Sequence, residues 1–285
     1  MNGALRVLRA EFMRMLASRA AWVGALMIIA VPALRIWAAS FAERAKAIQA
    51  MGSGATSSGL SEGTGWAMLV SGWRAGMMLA TALLLVQGAR SIAGDRETGV
   101  LRLAVTRSAS RSGAVVGRAL LGPILVLGMV TLAGLTALLA TSAAGGDFGD
   151  LVQDDYPIFT ADEVMTELRR ALLVCCLGLM AIHAFGLLIS SLARGPVLAL
   201  AGSLATLLVW DVFKDDFGAA SWWVFASHAP TFADASAMFE MVKFAGGYSD
   251  AGLPPAIHNM GLVLAPLEGL AFVLLAALAV RRRPL

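Results

Sequence analysis

Long uncharged apolar runs alternate with short polar stretches along this chain. The runs near residues 20–39, 66–90, 117–143, 168–192, 197–212 and 261–280 carry little or no charge. Each approaches the about 20 residues that a helix needs to cross the hydrocarbon of a bilayer. The fifth is short, but the turn Ala193, Arg194, Gly195, Pro196 precedes it, so segments four and five are predicted to form a helical hairpin. Residues 2–18 put Leu5, Leu8, Phe12, Met15 and Leu16 on one helical stripe, with Arg6 and Arg14 off it and Arg9 at its margin. That pattern predicts an amphipathic helix lying in the membrane interface.

The polar stretches carry their own signals. Residues 40–65 are expected to form a loop, and its end, MGSGATSSGLSEGTG, has too little apolar content to pack and reads as a flexible connector. Thr160 followed by Glu163 has the spacing of a capping box, which starts helix four at about Ala161. The longest connection, 213–260, contains DASAMFEMVKFAGG, a short helix with Met238, Phe239, Val242 and Phe244 apolar, stopped by Gly246 and Gly247. Such a helix lies on the outer surface or dips back into the bilayer.

Composition supports the membrane reading. The 285 residues are 58% hydrophobic and 14% charged, and the mean hydropathy is +0.76. A soluble domain of this size needs a charged exterior that these runs cannot supply. Cys175 and Cys176 are adjacent in an apolar run, which fits packing residues better than a disulfide. Arginines are mixed through the first 19 residues, and the apolar run that follows is long enough to span, so no cleavable leader is expected.

Charge sets the expected orientation, because cytoplasmic flanks carry the excess of Lys and Arg. With the N-terminus inside, the inner flanks hold Arg6, Arg9, Arg14, Arg19, Arg90, Arg96, Arg102, Arg107, Arg111, Arg118, Arg194 and Arg281 to Arg283. The outer ones hold only Arg44, Lys46, Arg169, Arg170, Lys214 and Lys243, and most of the acids. Both termini are then cytoplasmic. The expected architecture is an all-α polytopic membrane protein whose single transmembrane domain spans 1–285.

Candidate chemistry is sparse. No GxxxxGK[ST] phosphate loop occurs, so the chain is not expected to hydrolyse nucleotide by itself. His183, His228 and His258 lack the paired spacing of a zinc site, and His183 reads as a hydrogen-bonded packing residue. Charge inside the membrane is costly and therefore informative. Arg35, Arg74 and Glu268 all fall in the outer leaflet at similar depth. They form either an outer gate or substrate path, or a snorkelling Arg35 beside a neutralised Glu268. An intramembrane enzyme would need a nucleophile, which this set lacks.

The charged stretch GDRETGVLRLAVTRSASRSGAVVGR, from Gly94 to Arg118, lies between helices two and three on the inner side. Val100, Leu101, Leu103 and Ala104 are helix-compatible apolar positions, and a helix this short needs something to pack against. The stretch resembles the signature of ABC-2 type transporter permeases, the membrane subunits of type V ABC exporters, E-x-G-T-L-x-L-L-L-S-x-P-x-S-R followed by G-K. Glu97, Gly99, Leu101, Leu103, Ser110 and Arg111 match, with Gly117 and Arg118 at the G-K pair. Val100, Ala104, Val105, Thr106 and Ser108 depart from the pattern. VLRAEFMRMLASRA resembles the family's elbow helix, GLLISSLARGPVLALAGS its turn between helices four and five, the last loop its re-entrant pair, and RRR its basic tail.

The resemblance implies an elbow helix over 2–18, a coupling helix over 95–112, and a re-entrant region within 213–260. It implies that Glu97, Gly99, Leu101, Leu103 and Arg107 dock in a separate cytoplasmic ATPase subunit, with Arg111 anchoring the end. Two permeases would associate with two ATPases. ATP and Mg would bind the partner ATPase, with no cofactor on this chain and no nucleic acid involved. The expected setting is the bacterial cytoplasmic (inner) membrane, and the expected task is export of a substrate. The alternative is mechanotransmission, in which the same engine acts on a periplasmic partner protein instead of moving cargo.

Overall fold

The computed structural model describes residues 2–53, 64–99, 110–153, 156–232, 236–248 and 254–282. Among these residues the structure is all-helical apart from one small hairpin, and six helices are long and apolar enough to cross a membrane, consistent with a multi-pass α-helical membrane protein. In chain order these elements are α1 (Asn2–Leu16), α2 (Arg19–Ser53), α3 (Thr64–Glu97), α4 (Arg111–Ala119) and α5 (Leu121–Ala143). There follow β1 (Leu151–Gln153), β2 (Tyr156–Phe159), α6 (Ala161–Leu192), α7 (Pro196–Phe213), α8 (Ala237–Ala245) and α9 (Pro255–Arg282). Two 3-10 stretches, Lys214–Trp223 and Phe225–Ser227, lie between α7 and α8.

Several ends follow from local chemistry. Thr160 and Glu163 form the reciprocal capping box that starts α6. Pro196 opens α7 at its first turn, where its missing N–H costs nothing. Gly246 caps α8, and Gly247 follows at φ 79°. The helix formed by α4 and α5 is interrupted at Leu120, because Pro123 has no N–H to offer in the next turn.

Other boundaries differ from the sequence expectation. The loop expected from residue 40 begins as helix, since α2 runs on to Ser53 through the good helix formers of FAERAKAIQA. Residues 95–97, expected to open a coupling helix, instead continue α3, and Arg111 and Ser112 already belong to α4. The core of that expected coupling helix, including Leu101, Leu103 and Arg107, lies outside the described residues, as do most of the Gly and Ser connector and Arg283. The acidic loop after α5 holds the antiparallel pair β1 and β2, which the periodicity did not announce.

Helices α3 and α6 form the centre. The buried share of the most apolar window is 61% for α6 and 50% for α3, against 22% for α2 and α7 and 17% for α9. The outer helices turn Trp22, Leu26, Trp37, Val197, Leu270 and Leu274 outward, the apolar surface that a lipid solvent accepts. The α1 stripe is divided rather than laid outward as one surface. Leu8, Phe12 and Met15 pack against the main core, while Leu5 and Leu16 remain exposed.

One irregular segment enters the bundle. Thr81, midway along α3, donates to the Pro230 carbonyl at 2.7 Å, and His228 lies against Gly178, midway along α6. Phe225 sits between Phe185 of α6 and Phe272 of α9, with ring centroids at 5.3 and 5.1 Å.

Candidate functional site

The end of the bundle that carries most of the arginines also carries the segment between α3 and α4. Gly94 to Glu97 form the last turn of α3. Gly99, at φ +73°, is where the chain leaves the helix, and its N–H reaches back to the Arg96 carbonyl at 3.3 Å. A left-handed residue just past a helix strongly favours glycine. This gives the glycine of the sequence signature a local reason. Glu97, Thr98 and Gly99 are exposed.

Just before them lies a buried charge network that sequence reasoning missed. Asp95 and Arg118 are 4% and 3% exposed, and Arg118 Nη2 donates to Asp95 Oδ2. The same guanidinium meets Glu11 Oε1 of α1 at 3.1 Å. Arg14, also on α1, donates to Asp95 Oδ1 at 2.8 Å through Nη1 and at 3.0 Å through Nη2. Two carboxylates and two guanidiniums thus join α1, α3 and α4, and their formal charges cancel. Such balance is what allows charges to be buried at all. Arg118 is the arginine that stands in the second place of the G-K pair, and Gly117 beside it lets α1 approach. A Cβ on Gly117 would lie 2.6 Å from the Ala4 carbonyl and 2.8 Å from Val7 Cβ.

Deeper in the bundle His183 supports this corner. Its Nε2 lies 3.3 Å from the Arg118 carbonyl and its Nδ1 3.4 Å from the Leu84 carbonyl, which fits the packing role read from sequence. Both partners are acceptors, so a neutral ring donates to one of them at a time.

The opposite side of the α3 terminus holds a different neighbour. Arg96 Nη1 donates to the Ala193 carbonyl at 2.9 Å, in the turn between α6 and α7. Ser190 Oγ accepts from the N–H groups of Ile92 and Ala93 at 3.1 and 2.9 Å. At the far end of the segment Ser110 caps α4, and its Oγ accepts from Gly113 N–H at 3.0 Å. Arg111 reaches the Arg281 carbonyl at 3.3 Å, and Arg281 returns a bond to Ser112 Oγ at 3.3 Å.

No protein-family model matches this chain, and no curated protein matches it in sequence. The functional reading therefore rests on the residues themselves.

Arg35, Arg74 and Glu268 each meet a different neighbour among the described residues. Arg35 Nε donates to Ser71 Oγ at 3.1 Å. Arg74 lies over the Phe239 ring of α8, 5.1 Å from its centroid, and Lys243 Nζ is 4.5 Å from the same centroid. Glu268 accepts a backbone hydrogen bond from Phe225, and its Oε2 is buried without a partner among the described residues. Glu268 thus meets the irregular segment rather than Arg35. A second missed cluster ties that segment to α7: Lys214 Nζ donates to Asp211 Oδ1 at 2.8 Å and to Thr231 Oγ1 at 3.0 Å, with all three residues buried. The i, i+3 spacing of Asp211 and Lys214 was the one signal available. Among the described residues no group of three or more His, Cys, Asp or Glu could hold a metal ion.

Proposed function

We propose that this chain is the permease subunit of an ABC exporter of the ABC-2 type, driven by a separate cytoplasmic ATPase that docks on the segment between α3 and α4. The observation that carries the reading is the arrangement around that segment. Its matched residues Glu97 and Gly99 stand exposed at one end and Ser110 at the other, beside a half-buried Arg111, while Asp95 and Arg118 just beyond them are tied to α1 through Arg14 and Glu11. Exposed matched residues beside a buried charge network tied to α1 suit a soluble engine gripping a membrane protein.

Nucleotide binding and hydrolysis, with Mg, occur on the ATPase in this reading. Closure of the ATPase pair moves the segment, and the helices rock between two states. The orientation puts α1, the segment and both termini in the cytoplasm of a bacterium, with β1, β2 and α8 outside. Two copies of the chain pair with two ATPases. The contacts of Pro230 with Thr81 and of Phe225 with Phe185 and Phe272 support a re-entrant course for the region before α9.

The test is co-purification. Glu97→Lys and Leu101→Asp are expected to lose the ATPase, or its coupling to transport, while the chain still inserts in the membrane. Full retention of a coupled ATPase by both variants would refute the docking assignment.

A further inference from the structure

Two neighbouring residues at the end of α3 hold different parts of the molecule. Successive helical residues point about 100° apart, so Asp95 and Arg96 diverge. Asp95 is bonded by Arg118 of α4 and Arg14 of α1. Arg96 bonds the Ala193 carbonyl between α6 and α7, one turn from the place where Ser190 takes the Ile92 and Ala93 N–H groups. We infer that the last turn of α3 is a two-sided lever: Asp95, through Arg118, Glu11 and Arg14, carries displacement of the segment to α1, and Arg96 with Ser190 carries it to α6 and α7. This deepens the permease reading and rests on it.

The physical argument is one of stiffness. Moving the α3 and α4 termini away from α1 would break the Asp95–Arg14 and Arg118–Glu11 pairs together, and Asp95, Arg118 and Glu11 are all largely buried, so the separation is unfavourable. The α3 terminus therefore cannot move on its own and leave α1 in place. Glycine packing adds a steric link, since Gly117 brings the α4 backbone against Ala4 and Val7 of α1. On the other face Arg96 of α3 bonds the backbone of the α6–α7 turn and Ser190 of α6 accepts from backbone N–H groups of α3, so both links end on main chain rather than on a mobile side chain. Both ends of the segment converge on the Asp95 and Arg118 pair, since Arg118 lies about two helical turns past Arg111.

The experiment uses the complex of the full chain with its ATPase, with Cys175 and Cys176 replaced by Ala. Spin labels are placed at Met13 on α1 or at Val197 on α7, each paired with a label at Leu139, all three exposed positions. Electron–electron distances are read with and without Mg-ATP and vanadate. In the otherwise unaltered chain both distances are expected to shift. Glu11→Gln and Arg14→Gln are expected to lose the Met13 shift and keep the Val197 shift. Ser190→Ala and Arg96→Gln are expected to do the reverse. Arg14 is half exposed, so its variant folds even where Glu11→Gln does not. Variants that keep both shifts, or lose both together while the ATPase remains bound, overturn the lever alone. A complex in which nucleotide shifts neither label in the unaltered chain overturns the permease reading and the lever with it.

Discussion

Asp95, Arg118 and Lys214 are charged side chains in an apolar interior, and each survives there because a partner of opposite charge lies within reach. Removing Asp95 or Arg118 leaves the buried network with an unbalanced charge, and removing Asp211 takes away the counter-charge of Lys214. Asp95→Asn or Arg118→Met is expected to destabilise the folded chain by about 3–5 kcal/mol, read as a lowered thermal midpoint in detergent. Arg14→Gln, whose side chain is 52% exposed, should cost no more than about 1 kcal/mol. Equal losses for Arg14→Gln and Arg118→Met would show that burial does not set the value of this network. At the other end, Lys214→Met alone should be harmful, whereas Asp211→Leu combined with Lys214→Met should recover much of the loss, because the double change leaves no buried charge unpaired. A double variant as unstable as the single one would place the stability in packing instead.

Helix α3 crosses α6 closely because glycine faces backbone on both sides. A Cβ on Gly88 would lie 2.5 Å from the His183 carbonyl, and one on Gly186 would lie 2.9 Å from the Leu85 carbonyl. Gly88→Leu and Gly186→Leu are expected to force the helices apart and cost at least about 1–3 kcal/mol, whereas Gly128→Leu meets nothing within 4 Å and should be tolerated. Unfolding of the three variants in a graded SDS series checks this, and equal midpoints for Gly88→Leu and Gly128→Leu would reject the close crossing. Elements of this kind were legible wherever the signal was local. The apolar runs located the spanning helices, and Thr160 with Glu163 fixed the start of α6. The misjudged ends had a physical reason. The second span was expected to end at Arg90 and a separate coupling helix to open at Asp95, but Asp95 and Arg96 find partners on α1, α4 and the α6–α7 turn, and α3 continues through them. Glu11 and Arg118 are far apart in sequence, and no periodicity reports a pairing between distant helices. The irregular stretch after α7 likewise depends on Gly178 and Thr81 across the bundle.

At the scale of the whole molecule most arginines fall in the connections at one end and most acids in those at the other, an asymmetry that predicts one orientation in a membrane. Moving an arginine flank across a bilayer is opposed during insertion, so the end carrying Arg194 and Arg282 is expected to stay inside. Tyr248 and Pro157 are exposed at the opposite end. With Cys175 and Cys176 replaced by Ala, a cysteine at Tyr248 or Pro157 should react with a membrane-impermeant maleimide on intact cells. A cysteine at Arg194 or Arg282 should react only after the membrane is opened. The reverse pattern would invert the orientation and move the segment between α3 and α4 outside, where no cytoplasmic ATPase could reach it. Labelling position and engine docking are thus one linked claim: the side on which Arg194 reacts decides whether Glu97 and Gly99 can meet a nucleotide-driven partner at all.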